Sequence, residues 1–280
     1  MILISKISAL ARPIDLNYPT NLLIVLITLG TFLVITIFQF ALSTPLLTAL
    51  GTGATTAIAV FLSWALTREI DPAHDWSAFV PLPITLIAAL VLGAPALLTL
   101  FFLLLSSRVL NQTTGGQATS FDSFLLIILA VFQIHTATII PLIFLLFVFS
   151  FDAILKHNNP KQGKFAVFTL IATVIIVLVY GSSIFTVNFS LYGVLASIIL
   201  VLAAITFMLT AQEKDSYGDS NQSVISEKRT VIAKIMIALF IVISLLFLGK
   251  IAGTMLYPAI SSFVGAAIYH LAQRFLNNRL

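Results

Sequence analysis

Residues 21–66 contain no charged side chain, and neither do residues 78–107. An α-helix rises about 1.5 Å per residue, so roughly 20 apolar residues cross the hydrocarbon core of a bilayer. Backbone amides in lipid have no water to bond, and a chain this oily satisfies them by coiling into helices. Composition agrees: of 280 residues 60% are hydrophobic and 9% charged, whereas a soluble domain carries about a quarter charged residues. A mean hydropathy of +1.12 leaves too little polar surface for a water-soluble globule. The expected class is an all-α, polytopic transmembrane helix bundle in the cell membrane, with the lipid bilayer as its solvent.

Converting apolar runs into crossings predicts about ten. Residues 21–66 hold two, parted by Ser43-Thr44-Pro45; residues 165–210 hold two, parted near Thr186-Val187-Asn188; residues 231–272 hold two, broken around Gly249-Lys250-Ile251-Ala252-Gly253. Residues 78–107 and 123–155 are each too long for one straight crossing. Each also carries a central break, at Gly93-Ala94-Pro95 and at His135 to Pro141, so each reads as a hairpin of two short helices.

Ten crossings make five hairpins and place nearly every basic residue on one side, among them Arg12, Arg68, Arg108, Lys161, Lys228, Arg229 and Arg274, with Lys250 opposite. By the positive-inside rule that side is cytoplasmic, with both termini on it. The organisation is then an N-terminal interfacial segment (1–20), an eight-span bundle (21–210), a polar cytoplasmic loop (211–230), and a two-span hairpin with a short tail (231–280). The first segment lacks a signal-peptide cleavage pattern. It reads as a helix lying in the interface, with Ile2, Leu3, Ile7 and Leu10 inward, ending at Arg12-Pro13.

The net charge of +4 comes from 14 scattered Lys and Arg with no basic stripe, which argues against a nucleic-acid partner. With no cysteine, disulfides, zinc thiolates and thiol catalysis are excluded. No cofactor is expected, except a divalent metal under one alternative reading below.

The most pointed cluster follows the second crossing: Thr67-Arg68-Glu69-Ile70-Asp71-Pro72-Ala73-His74-Asp75-Trp76. Asp71, His74 and Asp75 offer oxygen and nitrogen ligands for a divalent ion at the membrane edge. The plainer reading is a solvated turn, with Arg68 and Glu69 paired at the interface, Trp76 in the aromatic belt and His74 in water. Aspartate-rich loops occupy this place in prenyl-transferring enzymes of the UbiA type. The Asn-Asp opening of their first motif is absent here, however, and FDAILKHNN does not supply the second, so the chain is not assigned to them.

Within the spans, Gln133 and His135 flank a helix break where freed carbonyls can bind a solute; His270 lies one turn from an inner helix end and reads as interfacial. Small residues mark helix contacts: Gly51, Gly53, Ala54 and Ala57; Gly193 and Ser197; Ser262, Gly265 and Ala266. The bulky runs Phe101 to Leu105 and Phe144 to Phe147 are expected to meet lipid.

Three function classes follow. The first is a permease or transporter-type subunit, with other membrane subunits as its partners. The second is a metal-dependent lipid- or prenyl-modifying enzyme using Asp71 to Asp75. The third is a membrane scaffold or assembly protein. The topology itself is open to test: a Gly115→Cys variant is expected to resist an impermeant thiol reagent in intact cells and to react once the cells are opened. Labelling in intact cells removes the ten-crossing arrangement.

Overall fold

A computed structural model describes residues 8–12, 14–114, 116–134, 139–155, 158–181, 189–211 and 225–277. Among them every regular element is helical. The order is α1 (Pro19–Ala41), α2 (Leu46–Ile70), a 3₁₀ helix (Asp75–Phe79), α3 (Pro81–Leu92), α4 (Leu97–Asn111), α5 (Ser120–Phe132), α6 (Ile140–Ile154), α7 (Lys161–Tyr180), α8 (Leu191–Thr210), α9 (Glu227–Leu248) and α10 (Lys250–Asn277).

Among the described residues, seven helical stretches are long and apolar enough to cross a membrane: α1, α2, the 3₁₀ helix continued by α3, and α7 to α10. The other three, α4, α5 and α6, are apolar but shorter. At 13 residues α5 reaches only about 20 Å against a core of about 30 Å. The chain is therefore an apolar, all-helical protein of the membrane type.

The helix ends follow local chemistry. Gly93 ends α3 and Gly249 ends α9 with φ of 83° and 56°, a region open to glycine without steric cost. The break at 249 is one residue long, since α10 begins at Lys250. Proline stands in the first turn of α1, α3 and α6, where its missing N–H would have had no helical partner. At α5 the Thr119 side chain accepts from the Asp122 N–H while Asp122 accepts from the Thr119 N–H, a reciprocal cap.

Contacts divide the chain into two compact units. Unit 1 comprises Met1–Arg12, Phe101–Val201 and Glu213–Ala252. Its core holds the rings of Phe102, Phe144 and Phe240, with centroids 4.9 to 6.2 Å apart. This corrects the expectation that Phe101 to Leu105 and Phe144 to Phe147 meet lipid: Phe102, Leu103, Leu104, Leu105, Phe144 and Leu145 are buried, while Phe101 and Phe147 are exposed. Lipid tails and leucine side chains are equally apolar, so bulk does not tell a lipid face from a protein face.

At one end of unit 1, Arg229 of α9 donates to the Asp152 carboxylate of α6 at 2.7 Å and to the Leu110 carbonyl at 3.0 Å. Leu110 lies in the last turn of α4, whose carbonyls have no partner within the helix. Residues 8–12 are not helical, contrary to the interfacial helix expected there. They form an irregular segment bent at Ala9 and Leu10, in which Asp122 accepts from Ser8 Oγ and the Ala9 N–H, while Arg108 donates to the Leu10 carbonyl. The rest of that expected helix, residues 1–7, lies outside the described residues, as does most of the 211–230 loop.

Unit 2 comprises Pro13–Leu100, Leu202–Gln212 and Gly253–Leu280. Here α1 packs along α2, with Gly53 facing Phe32 and Thr36. Gly265 of α10 meets the start of α3: a Cβ there would stand 2.6 Å from Pro81 N. Gly193, in unit 1, likewise abuts the Leu245 backbone. The small-residue expectation fails at Gly51, which is exposed with nothing nearby, because it lies on the far side of α2 from Gly53. Gly265→Ala is thus expected to lower the melting temperature in mild detergent, at an overpacking cost of about 1–3 kcal/mol. Gly51→Ala, with open space and better helix propensity, is expected to hold or raise it.

Candidate functional site

The α2 helix runs on to Ile70, and its capping residue Asp71 is almost fully buried. The turn that follows brings His74 back, so that its Nδ1 stands 2.9 Å from Asp71 Oδ1. From α10, His270 Nε2 reaches the second oxygen, Asp71 Oδ2, also at 2.9 Å. An ionised carboxylate only accepts, so the two imidazoles donate to it, one to each oxygen. The His74 and His270 rings meet edge to face at 4.7 Å, and Phe207 stacks on His270 at 5.3 Å. Nδ1 of His270 is buried without a hydrogen-bond partner.

Burial by itself would push the Asp71 carboxyl up; hydrogen bonds from His270, His74 and Ser77 outweigh it and hold the group below its ordinary 3.8. A depressed carboxylate stabilises the fold at any pH above that ordinary value and loses the contribution only in stronger acid.

The sequence expectation grouped Asp71, His74 and Asp75. The structure brings Asp71 and His74 together and adds His270, while Asp75 turns to Arg68 and the Tyr18 hydroxyl. His74 is not the freely solvated side chain of the plainer reading, since its side chain is only 10% exposed. His270, expected near the membrane interface, is 1% exposed, packed inside the protein against Asp71. The reason is common to both: each imidazole is drawn to a carboxylate that would otherwise be buried without partners. Trp76 does stay exposed, as an aromatic-belt residue would. Of the second expected pair, Gln133 is buried and donates to the Leu129 carbonyl one turn back, and His135 lies outside the described residues.

A line of buried hydroxyls continues from the cluster into unit 2. Thr67 Oγ1 donates to the Ser63 carbonyl at 2.8 Å, Thr85 Oγ1 of α3 to Ser63 Oγ at 3.0 Å, and Ser262 Oγ of α10 to the Ser63 carbonyl at 3.0 Å. All four are buried. Ser63 to Asp71 and Ser262 to His270 are both eight residues, about 12 Å of helix. The helices α2 and α10 therefore run parallel, and α3 runs back between the same contacts. At the far end, Tyr257 Oη donates to the Gly93 carbonyl at 3.1 Å and the Ala96 N–H to the Met255 carbonyl at 3.2 Å. The backbone groups freed where α3 stops are thus taken up by α10 just before its internal Pro258.

The seam from Asp71 to Gly93 is therefore a feature of three packed helices. No family model, curated protein or solved structure matches the chain.

His270 was missed because it lies 199 residues from Asp71. One signal was available: Ser262, Ala266 and His270 recur at i, i+4 and i+8, which puts an ionisable ring on the small-residue face of α10. Asp71→Ala, which strips the acceptor from the buried His270 and the part-buried His74, is expected to destabilise the protein by about 1–3 kcal/mol. Asp75→Ala, at a more exposed pair, is expected to cost less. Thermal unfolding of both variants in the same detergent measures the difference.

Proposed function

We propose that the protein is a permease or transporter-type membrane subunit whose solute path is the hydroxyl seam of unit 2. The observation that carries this reading is the cluster of buried hydroxyls, Thr67, Ser63, Thr85 and Ser262, on helices that hold a buried carboxylate at one end and a helix break at the other. An ionisable group held inside a membrane bundle is costly and marks an ion or substrate route by default, and these hydroxyls lie on the helices that hold Asp71. Breaks in membrane helices, where carbonyls leave the helical ladder, serve the same end. In this reading the chain makes ten crossings, with α4, α5 and α6 as short spans, and both termini are cytoplasmic. The Asp71 mouth then faces the cytoplasm, since Arg68 and Arg274 stand toward the same ends of α2 and α10. Other membrane subunits are its partners, recoverable in mild detergent.

A second reading is favoured by Asp71 and His74 standing side by side at the membrane edge: a metal-dependent enzyme modifying a lipid or prenyl substrate. Such an enzyme would need Asp71 as its carboxylate, so full activity in an Asp71→Asn protein would end it.

The permease reading is tested in proteoliposomes holding pH- and cation-sensitive dyes, with labelled small polar solutes outside. Wild type is expected to speed the entry of at least one probe. Thr85→Val and Ser63→Ala, each removing one hydroxyl, are expected to slow it about tenfold, the equivalent of about 1.4 kcal/mol. Rates equal to those of protein-free vesicles for every probe would count against a path through unit 2.

A further inference from the structure

We propose that Asp71, His74 and His270 form a binding site for a first-row divalent transition metal of the zinc type. The proposal stands whether or not a solute crosses the seam. The atoms His74 Nδ1, His270 Nε2 and one Asp71 carboxylate oxygen all lie within 4.8 Å of one another. Zinc binds imidazole nitrogen and carboxylate oxygen at about 2.0–2.2 Å, which places tetrahedral ligand atoms somewhat over 3 Å apart. His74 Nδ1 stands 2.9 Å from Asp71 Oδ1 and His270 Nε2 stands 2.9 Å from Asp71 Oδ2, so both nitrogens already lie close to ligand spacing from the carboxylate.

The donor set chooses the class of ion. Two imidazoles with one carboxylate suit zinc and its first-row neighbours, whereas magnesium and calcium call for oxygen ligands almost exclusively. Charge favours a cation as well: the buried ionised carboxylate is a negative charge, and to bind a divalent ion each ring would turn a lone pair to the metal, its N–H proton moving to the other ring nitrogen, Nε2 of His74 and Nδ1 of His270. Three protein ligands leave a coordination position open, as in zinc sites that act on a bound molecule.

The same geometry excludes Asp75, whose carboxylate is turned to Arg68 and Tyr18. It also makes the site long-range: two ligands come from the end of α2 and its turn, the third from α10. Closing it depends on the close approach of α10 to Pro81 at Gly265. Aromatic walls supplied by Phe207 and Tyr269 flank the two rings. Such walls exclude water and so strengthen ion–ligand bonds in the site.

The full-length protein in mild detergent, stripped with a chelator and dialysed, would be titrated with Zn²⁺, with Co²⁺ as a spectroscopic probe and Mg²⁺ as a control. The expected result is one equivalent of Zn²⁺ by elemental analysis and visible Co²⁺ bands of a low-coordinate nitrogen–oxygen site, with no competition from Mg²⁺. Both His74→Gln and His270→Gln are expected to weaken binding by at least about tenfold, and Asp75→Asn to leave it unchanged. Should His270→Gln fail to fold, His74→Gln, in the turn rather than within a helix, carries the comparison. The proposal is overturned if folded wild type takes up no stoichiometric Zn²⁺, or if it binds Zn²⁺ as tightly after His74→Gln. Loss on Asp75→Asn with retention in both histidine variants would overturn it equally. Binding at equilibrium in detergent requires no flux, so its outcome is separate from that of the vesicle experiment.

Discussion

Burying a carboxylate away from water costs several kcal/mol unless hydrogen bonds replace the lost hydration. Unit 2 meets that cost at Asp71 with two imidazoles. The consequence is architectural. Because one Asp71 oxygen takes His74 and the other His270, the end of α2, the turn after it and α10 are joined at one point. The parallel course of α2 and α10 and the seam of hydroxyls between them are consistent with that joint. A partial match would be worse than an apolar substitute, since each unpaired buried group carries its own penalty.

Unit 1 reaches a similar end by a different pairing. There Asp152 is fully buried and takes its charge partner from Arg229, itself only 1% exposed, with Gln112 Nε2 adding a third contact at 3.1 Å. Arginine suits the place because its fork serves a carboxylate and a carbonyl at once, here Asp152 and Leu110. The two arrangements differ in chemical reach. A guanidinium keeps its protons and offers no lone pair, whereas an imidazole exchanges a proton for a metal. The Asp71 cluster is for this reason the one with potential for chemistry, and the Asp152 pair the one that fastens helices.

The hydroxyl seam shows how membrane helices carry polarity without charge. A serine or threonine in a helix can return its proton to a carbonyl three or four residues earlier, as Thr67 does to Ser63. That local bond lets the side chain sit in an apolar interior at little cost. Ser63 then accepts from Thr85 and Ser262 on the neighbouring helices as well, so the local device becomes a link among three helices. The stop of α3 at Gly93 completes the pattern, because the groups it frees find Tyr257 and Met255 on α10.

Much of the architecture was legible in the residues alone, and the rest was not. Apolar run length is a one-dimensional property, so the helical class, the breaks at Ser43 to Pro45, Gly93 and Gly249, and the contact glycines 53, 193 and 265 could be read directly. Local spacing also put Asp71 near His74, three residues apart on one turn. Tertiary packing alone decided that Phe102 and Phe144 face protein, because lipid and leucine are the same solvent to a phenylalanine. It decided as well that Asp75 turns away to Arg68 while His270 arrives from the other end of the chain. A carboxylate fixes how many donors it needs, but only the folded arrangement of α2 against α10 determines which residues supply them.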